Sequence, residues 1–95
     1  MITVIARNYA DLDKMDIILE LYEELVAETR AEKGCISYNL YADASANENL
    51  VMIEQWESKE DLDNHMNSEH FKRLVPETKK YMTKPVQVSI IEKLL

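Results

Sequence analysis

Seven side chains in this 95-residue sequence carry the chemistry a small pocket would use: Asn8, Tyr38, Glu54, Trp56, His65, His70 and Phe71. Trp56 is the only tryptophan, and it ends an apolar run that leads straight into a helix start. His65 follows on the apolar side of that helix, beside Leu62 and Met66. An imidazole titrates near neutral pH, which makes His65 a candidate general base. The flat indole of Trp56 offers a surface on which an aromatic molecule can stack. The amide of Asn8, at the end of the first apolar run, can stabilise an oxyanion. Tyr38, Glu54, His70 and Phe71 are candidate contacts to a bound molecule. Glu54 interrupts an apolar run, so it needs a partner or water if buried, and it could orient His65. Each residue also has a structural alternative. Trp56 and Tyr38 can be core, His65 a hydrogen-bonded buried imidazole, Asn8 a strand end, and His70 with Phe71 the cap and packing of a helical turn.

Other chemistries fit less well. His65 and His70 are five apart, about 140° around a single helix, which is off a common metal-binding face. With one cysteine and no third ligand at useful spacing, no zinc site is expected. Cys35 has neither a helix N-terminus nor a basic neighbour to activate its thiol. No glycine-rich loop is present to cradle a phosphate. A net charge of −7 argues against a nucleic-acid surface and against an acidic membrane leaflet. The lone cysteine gives no reason to expect an oxidising compartment, and Met1–Asn8 has no basic region before its apolar residues. The expected location is the cytoplasm.

The elements that must position these residues follow from the hydrophobic periods. Ile2–Tyr9 reads as a strand with Ile2, Val4, Ala6 and Asn8 on one face. Asp11 and Asp13 offer caps to a helix whose stripe is Met15, Ile18, Leu19, Tyr22, Leu25 and Val26. Gly34, the only glycine, marks its end. Cys35–Ala42 alternates Ile36, Tyr38 and Leu40 against Cys35, Ser37, Asn39 and Tyr41. A polar connection over residues 43–49 leads to a third strand, Leu50–Glu57. Ser58–Asp61 resembles a capping box, and Leu62, His65 and Met66 share the inner face that follows. Ser68 caps a further turn carrying Phe71, Leu74 and Val75, which Pro76 should end or kink. Pro85 precedes a last strand, Val86–Lys93.

The order βαββαβ predicts a single α+β domain over residues 1–95, ferredoxin-like, with both helical segments on one face of an antiparallel sheet. Strand three carries Leu50 and Met52 on one side and Val51 and Ile53 on the other. Strand two sets Ile36 and Leu40 against Cys35 and Tyr41. A sheet apolar on both faces needs a second cover, so a homodimer that joins the two sheets is expected.

Gly34–Cys35–x–x–Tyr38–x–Leu40, the run from Val51 to Trp56–Glu57–Ser58, then His65 and His70–Phe71 together resemble the antibiotic biosynthesis monooxygenase family. The similarity spans Ile2 to Leu94. It implies the dimeric α+β barrel and a cofactor-independent monooxygenase that oxidises a quinol or polyphenolic aromatic with molecular oxygen, without metal, flavin or haem. Trp56 holds the position of an active-site tryptophan in the polyketide-oxidising members. Asn8, Trp56 and His65 are then the expected catalytic residues, and a small aromatic molecule and oxygen the expected partners. The family also includes an isomerase of a small phosphorylated signalling dione, of the autoinducer-2 processing type. In that alternative His65 transfers a proton, and Lys59, Lys72 or Arg73 meets the phosphate. A non-catalytic small-molecule-binding or stress-related dimer is the third alternative. Haem-degrading relatives hold iron with a histidine a few residues after the phenylalanine of the short helix. Here that place is Val75, so haem is not expected.

Overall fold

The computed structural model describes residues 1–95. Its elements are β1 (Ile2–Ala10), a 3₁₀ turn (Leu12–Lys14), α1 (Met15–Arg30), β2 (Cys35–Asp43), β3 (Ala46–Trp56), α2 (Lys59–Met66), α3 (Glu69–Lys79) and β4 (Met82–Glu92). The strands form one antiparallel sheet in the order β2-β3-β1-β4, the ferredoxin-like arrangement expected from the element order. No helix is long and apolar enough to cross a membrane.

Local chemistry explains the boundaries. The Asp11 side chain accepts the Asp13 N–H at 3.0 Å and so starts the 3₁₀ turn that feeds α1. In α1 the buried stripe is Ile18, Tyr22, Leu25 and Thr29; Met15 and Val26 flank it, and Leu19 is exposed rather than part of it. Strand β3 begins at Ala46, earlier than the Leu50 expected. The reason is Asp43, whose carboxylate accepts the Ser45 N–H at 2.9 Å and its hydroxyl at 2.8 Å, compressing the turn to two residues. Strand β4 likewise begins at Met82 and runs through Pro85, which an edge strand tolerates because one row of its backbone groups has no strand partner. Pro76 does not end its helix. It lies inside α3 on an exposed side, where the carbonyl it leaves unbonded can be solvated.

The helices cover one face of the sheet. Ile2, Val4, Tyr38, Leu50, Met52 and Trp56 meet Ile18, Leu25, Leu62 and Leu74 there. The register slips between Cys35 and Ser37, so two residues of β2 oppose one of β3. This bulge overturns part of the expected alternation: Cys35 packs against the core, whereas Ile36 is 47% exposed. The helix-free face carries Ile5, Tyr41, Val51, Ile53 and Ile91 among Arg7, Asn39, Gln55 and Gln87. On the helix side of β4, Val88 and Ile90 have no helix above them and stand 55% and 58% exposed.

Gly34 fixes how the chain leaves α1. Its φ of 82° is the left-handed region, and a Cβ there would run into the Asp61 carboxylate. Its carbonyl accepts the Glu57 N–H at 2.9 Å, which ties the end of β3 to this turn. Gly34→Ala is therefore expected to lower the unfolding free energy by about 2–4 kcal/mol. Urea denaturation measures it; a loss below ~1 kcal/mol would show that the turn relaxes freely.

Candidate active site

A cavity of about 220 Å³ lies between the sheet and the helices. β1 contributes Val4, Ala6 and Asn8, β3 contributes Met52 and Glu54, and β2 contributes Tyr38. Leu62, His65, Met66, Phe71 and Val75 come from α2 and α3, and Val86, Val88 and Ile90 from β4 form its open flank. Of the seven residues singled out by sequence, the cavity gathers Asn8, Tyr38, Glu54, His65 and Phe71. It leaves out Trp56 and His70.

Trp56 sits one layer deeper. It is fully buried, and its ring lies 4.7 Å from that of His65, tilted by 33°. It therefore backs the imidazole and offers no free face to a bound molecule. Its Nε1–H donates to Glu54 Oε1 at 2.9 Å. Tyr38 and Phe71 stand edge-on to His65, with centroids 5.3 and 5.1 Å away. Three aromatic rings thus set the plane of one imidazole.

The residue that orients His65 is Glu32, not Glu54. His65 Nδ1 is 2.6 Å from Glu32 Oε2, and His70 Nε2 is 2.8 Å from the same oxygen. A carboxylate oxygen only accepts, so the hydrogen on His65 sits on Nδ1 and Nε2 carries a lone pair. That Nε2 is enclosed and has no partner in the chain. Burial lowers the imidazole pKa, against the raising effect of the Glu32 bond, so His65 is held as a neutral base.

The two histidines meet because α2 and α3 are separate helices. Ser68 breaks the run: its hydroxyl donates to the His65 carbonyl at 2.6 Å and accepts the Phe71 N–H at 3.3 Å, so one helix ends and the next starts on one side chain. The single-helix argument against a shared face does not hold here. Glu32, His65 and His70 form a two-histidine, one-carboxylate set whose ligating atoms lie within 4.8 Å of one another, a donor type suited to a divalent transition metal. In this structure the set is closed by its own hydrogen bonds, and neither Glu32 nor His70 lines the cavity. Glu32 escaped the sequence reading because it lies in a charged surface-type run 33 residues from His65. The one signal was its place two residues before Gly34.

The basic residues considered for a phosphate are engaged elsewhere or outside the cavity. Lys59 pairs with Asp63 at 3.2 Å, and Arg73 pairs with Glu24 and Glu69, each at 2.6 Å. Lys72 does not line the cavity; Lys79 does. Cys35 is half-buried, and burial, then the charges of Glu32 and Glu54, push its thiol pKa up, away from nucleophilic reactivity.

Glu54 is 6% exposed and makes no ion pair with a cation. Burial pushes its pKa up to about 7, against the lowering effect of the Trp56 bond, with the Glu32 charge adding to the rise. The native state then holds this proton where the unfolded chain has lost it, so stability falls as pH rises from about 4.5 to about 7. Glu54→Gln keeps an acceptor for Trp56 and removes that loss. It is expected to be about 1–3 kcal/mol more stable than the parent at pH ~8 and to gain nothing at pH ~4.5. Urea melts at the two pH values measure the difference; equal gains at both would contradict the buried-carboxyl account.

The comparisons with known proteins agree with this architecture. A family model described as antibiotic biosynthesis monooxygenase matches residues 1–77. The putative monooxygenase Rv0793 of Mycobacterium tuberculosis is 34% identical over 93 residues, which cover 98% of this chain and 91% of that protein. The probable quinol monooxygenase YgiN of Escherichia coli K12 is 32% identical, with 76% of this chain and 79% of that protein covered. A crystal structure of an antibiotic biosynthesis monooxygenase superimposes with a TM-score of 0.96 at 36% identity, covering 100% of both chains. With a model match over most of its length, and with fold and sequence in accord, this chain belongs to the antibiotic biosynthesis monooxygenase family.

Proposed function

We propose that this protein is a cofactor-independent monooxygenase that oxidises a quinol-type aromatic with molecular oxygen, with His65 as proton acceptor and Glu32 as the residue that fixes its tautomer. The observation that carries the reading is the Glu32–His65 pair at the wall of an apolar cavity, which leaves the Nε2 lone pair without a partner. A quinol becomes a strong reductant when it loses a proton, and a neutral imidazole is suited to take it. The substrate supplies all four electrons: one oxygen atom stays on the ring and the other leaves as water. Asn8, at the cavity end of β1, has its amide 3.3 Å from the Ala6 carbonyl and is the group available to an oxyanion or superoxide beside the ring.

Size admits such a substrate. A closed apolar cavity of about 150 Å³ takes a benzene molecule, so about 220 Å³ with an open flank on β4 accommodates at least one substituted ring. The names of the relatives, a putative monooxygenase and a probable quinol monooxygenase, support the same class. The isomerase alternative draws on one observation, that His65 and a near-neutral Glu54 line one cavity, as an acid and a base would for an enolisation.

Oxygen uptake with a panel of single-ring quinols tests the reading. His65→Ala should lower kcat by about 10²–10⁴-fold, roughly 3–5 kcal/mol, with the fold intact by circular dichroism. Glu32→Gln should lower it by about tenfold or more, because an amide can donate to Nδ1 and favour the wrong tautomer. Uptake that ignores both changes would remove the histidine from the mechanism. Clean conversion of a phosphorylated dione, with no uptake on any quinol, would move the assignment to the isomerase.

The same reading takes the protein to be a homodimer. Ile5, Val51, Ile53 and Ile91 on the helix-free face, and Val88 and Ile90 on β4, are apolar groups that a second copy would remove from water. Sedimentation at low micromolar concentration should report about twice the 11.1 kDa chain mass. A stable monomer there would contradict the barrel.

A further inference from the structure

The cavity has a second group able to exchange a proton, and it is better placed to meet a bound molecule than the first. Glu54 lines the cavity from β3. One of its oxygens, Oε1, is taken by the Trp56 N–H at 2.9 Å, and no side chain bonds the other. Oε2 is also absent from the enclosed, unpartnered side-chain atoms, which are Thr29 Oγ1 and His65 Nε2. Oε2 is therefore not fully enclosed, on a residue that lines the cavity, while His65 Nε2 is covered. No lysine or arginine neutralises Glu54; the only cationic residue of the cavity lining is Lys79, at the end of α3.

Trp56 relates the two groups. Its N–H holds Glu54, and its ring backs His65 at 4.7 Å. One rigid indole therefore sets the separation of a carboxyl and an imidazole on the wall of one cavity.

The geometry points to Glu54 as a second proton-transfer residue, whose free oxygen takes the proton of a hydroxyl of the bound quinol. This rests on the oxygenase reading and assigns the residue that receives a hydroxyl proton in it. The balance closes: a ring C–H proton moves to the oxygen atom that stays on the ring, and both phenolic protons, one of them carried by Glu54, end on the water formed from the second oxygen atom, which returns Glu54 to its starting state. Glu54 is half-ionised near neutral pH, so it is poised to accept or return a proton. The titratable groups around it are Tyr38 across the β2–β3 register, Glu32, Cys35 and His65. Burial and then the Glu54 charge push the Tyr38 hydroxyl far up, so it stays protonated and does not compete for the proton.

Two measurements test this, and only one needs turnover. Anaerobic infrared difference spectra with hydroquinone should show the carboxyl band of Glu54 shifting on binding, and Glu54→Gln should abolish the shift. In oxygen uptake, Glu54→Gln should lower kcat for hydroquinone by about 10²-fold, leave KM within about threefold, and remove the ionisation near neutral pH from the rate profile. Glu54→Asp, which keeps a carboxyl on a shorter arm, should recover part of kcat. An unchanged band on hydroquinone binding, or kcat and pH profile unaltered in Glu54→Gln, overturns the assignment. A band shift without oxygen uptake keeps Glu54 as the hydroxyl contact and rejects the oxygenase reading alone.

Discussion

A fully buried indole with one N–H to satisfy organises this molecule. Trp56 closes β3, and leaving its N–H unbonded in the core would cost about 1–3 kcal/mol. The chain meets that need with a carboxylate two residues earlier on the same face of the same strand. The solution introduces a buried acid with no cation to balance it, and the acid responds by holding its proton to about pH 7. A structural requirement of the core and a titratable group in the cavity are thus one interaction.

The second organising feature is the break between α2 and α3. A continuous helix over this stretch would set His65 and His70 on different sides, as their spacing demands. Ser68 interrupts it by serving both helices, and the two rings converge on Glu32 Oε2. Glu32 in turn is delivered by the turn at Gly34, whose left-handed backbone admits no Cβ beside Asp61. A proton acceptor on α2 therefore depends on a glycine between α1 and β2, although the two are far apart in sequence.

Much of the fold was legible because periodicity and punctuation agreed. The single glycine, the serines at 58 and 68 and the β-branched runs mark element ends by mechanisms that act locally. The misplaced boundaries came from nonlocal or compensated effects: an Asp43 turn that lengthened β3, a proline tolerated on an edge strand, and a bulge that exchanged Cys35 for Ile36. Site residues on regular elements, such as Asn8, Tyr38, Glu54 and His65, could be placed by face. Trp56 was placed on the correct face but at the wrong depth, since periodicity gives direction and not the layer at which a side chain stops. Glu32 could not be found, because nothing local distinguishes a loop carboxylate that reaches a histidine from one that faces water.

The charge of the chain and the chemistry of its cavity pull in opposite directions, and burial separates them. The sequence carries eighteen acidic and eleven basic residues, yet most of the residues that line the cavity are apolar. Burial among apolar side chains disfavours any charged form, so it keeps His65 neutral and raises Glu54 toward neutrality. The shift of Glu54 brings that carboxyl toward the pH at which it exchanges a proton, and the shift of His65 keeps the imidazole unprotonated. The burial also limits which partner can exchange a proton with it, because the His65 Nε2 atom is closed to bulk water. In this fold the selection of an apolar ring and the tuning of the groups that deprotonate it follow from the same cause, the exclusion of water between sheet and helices.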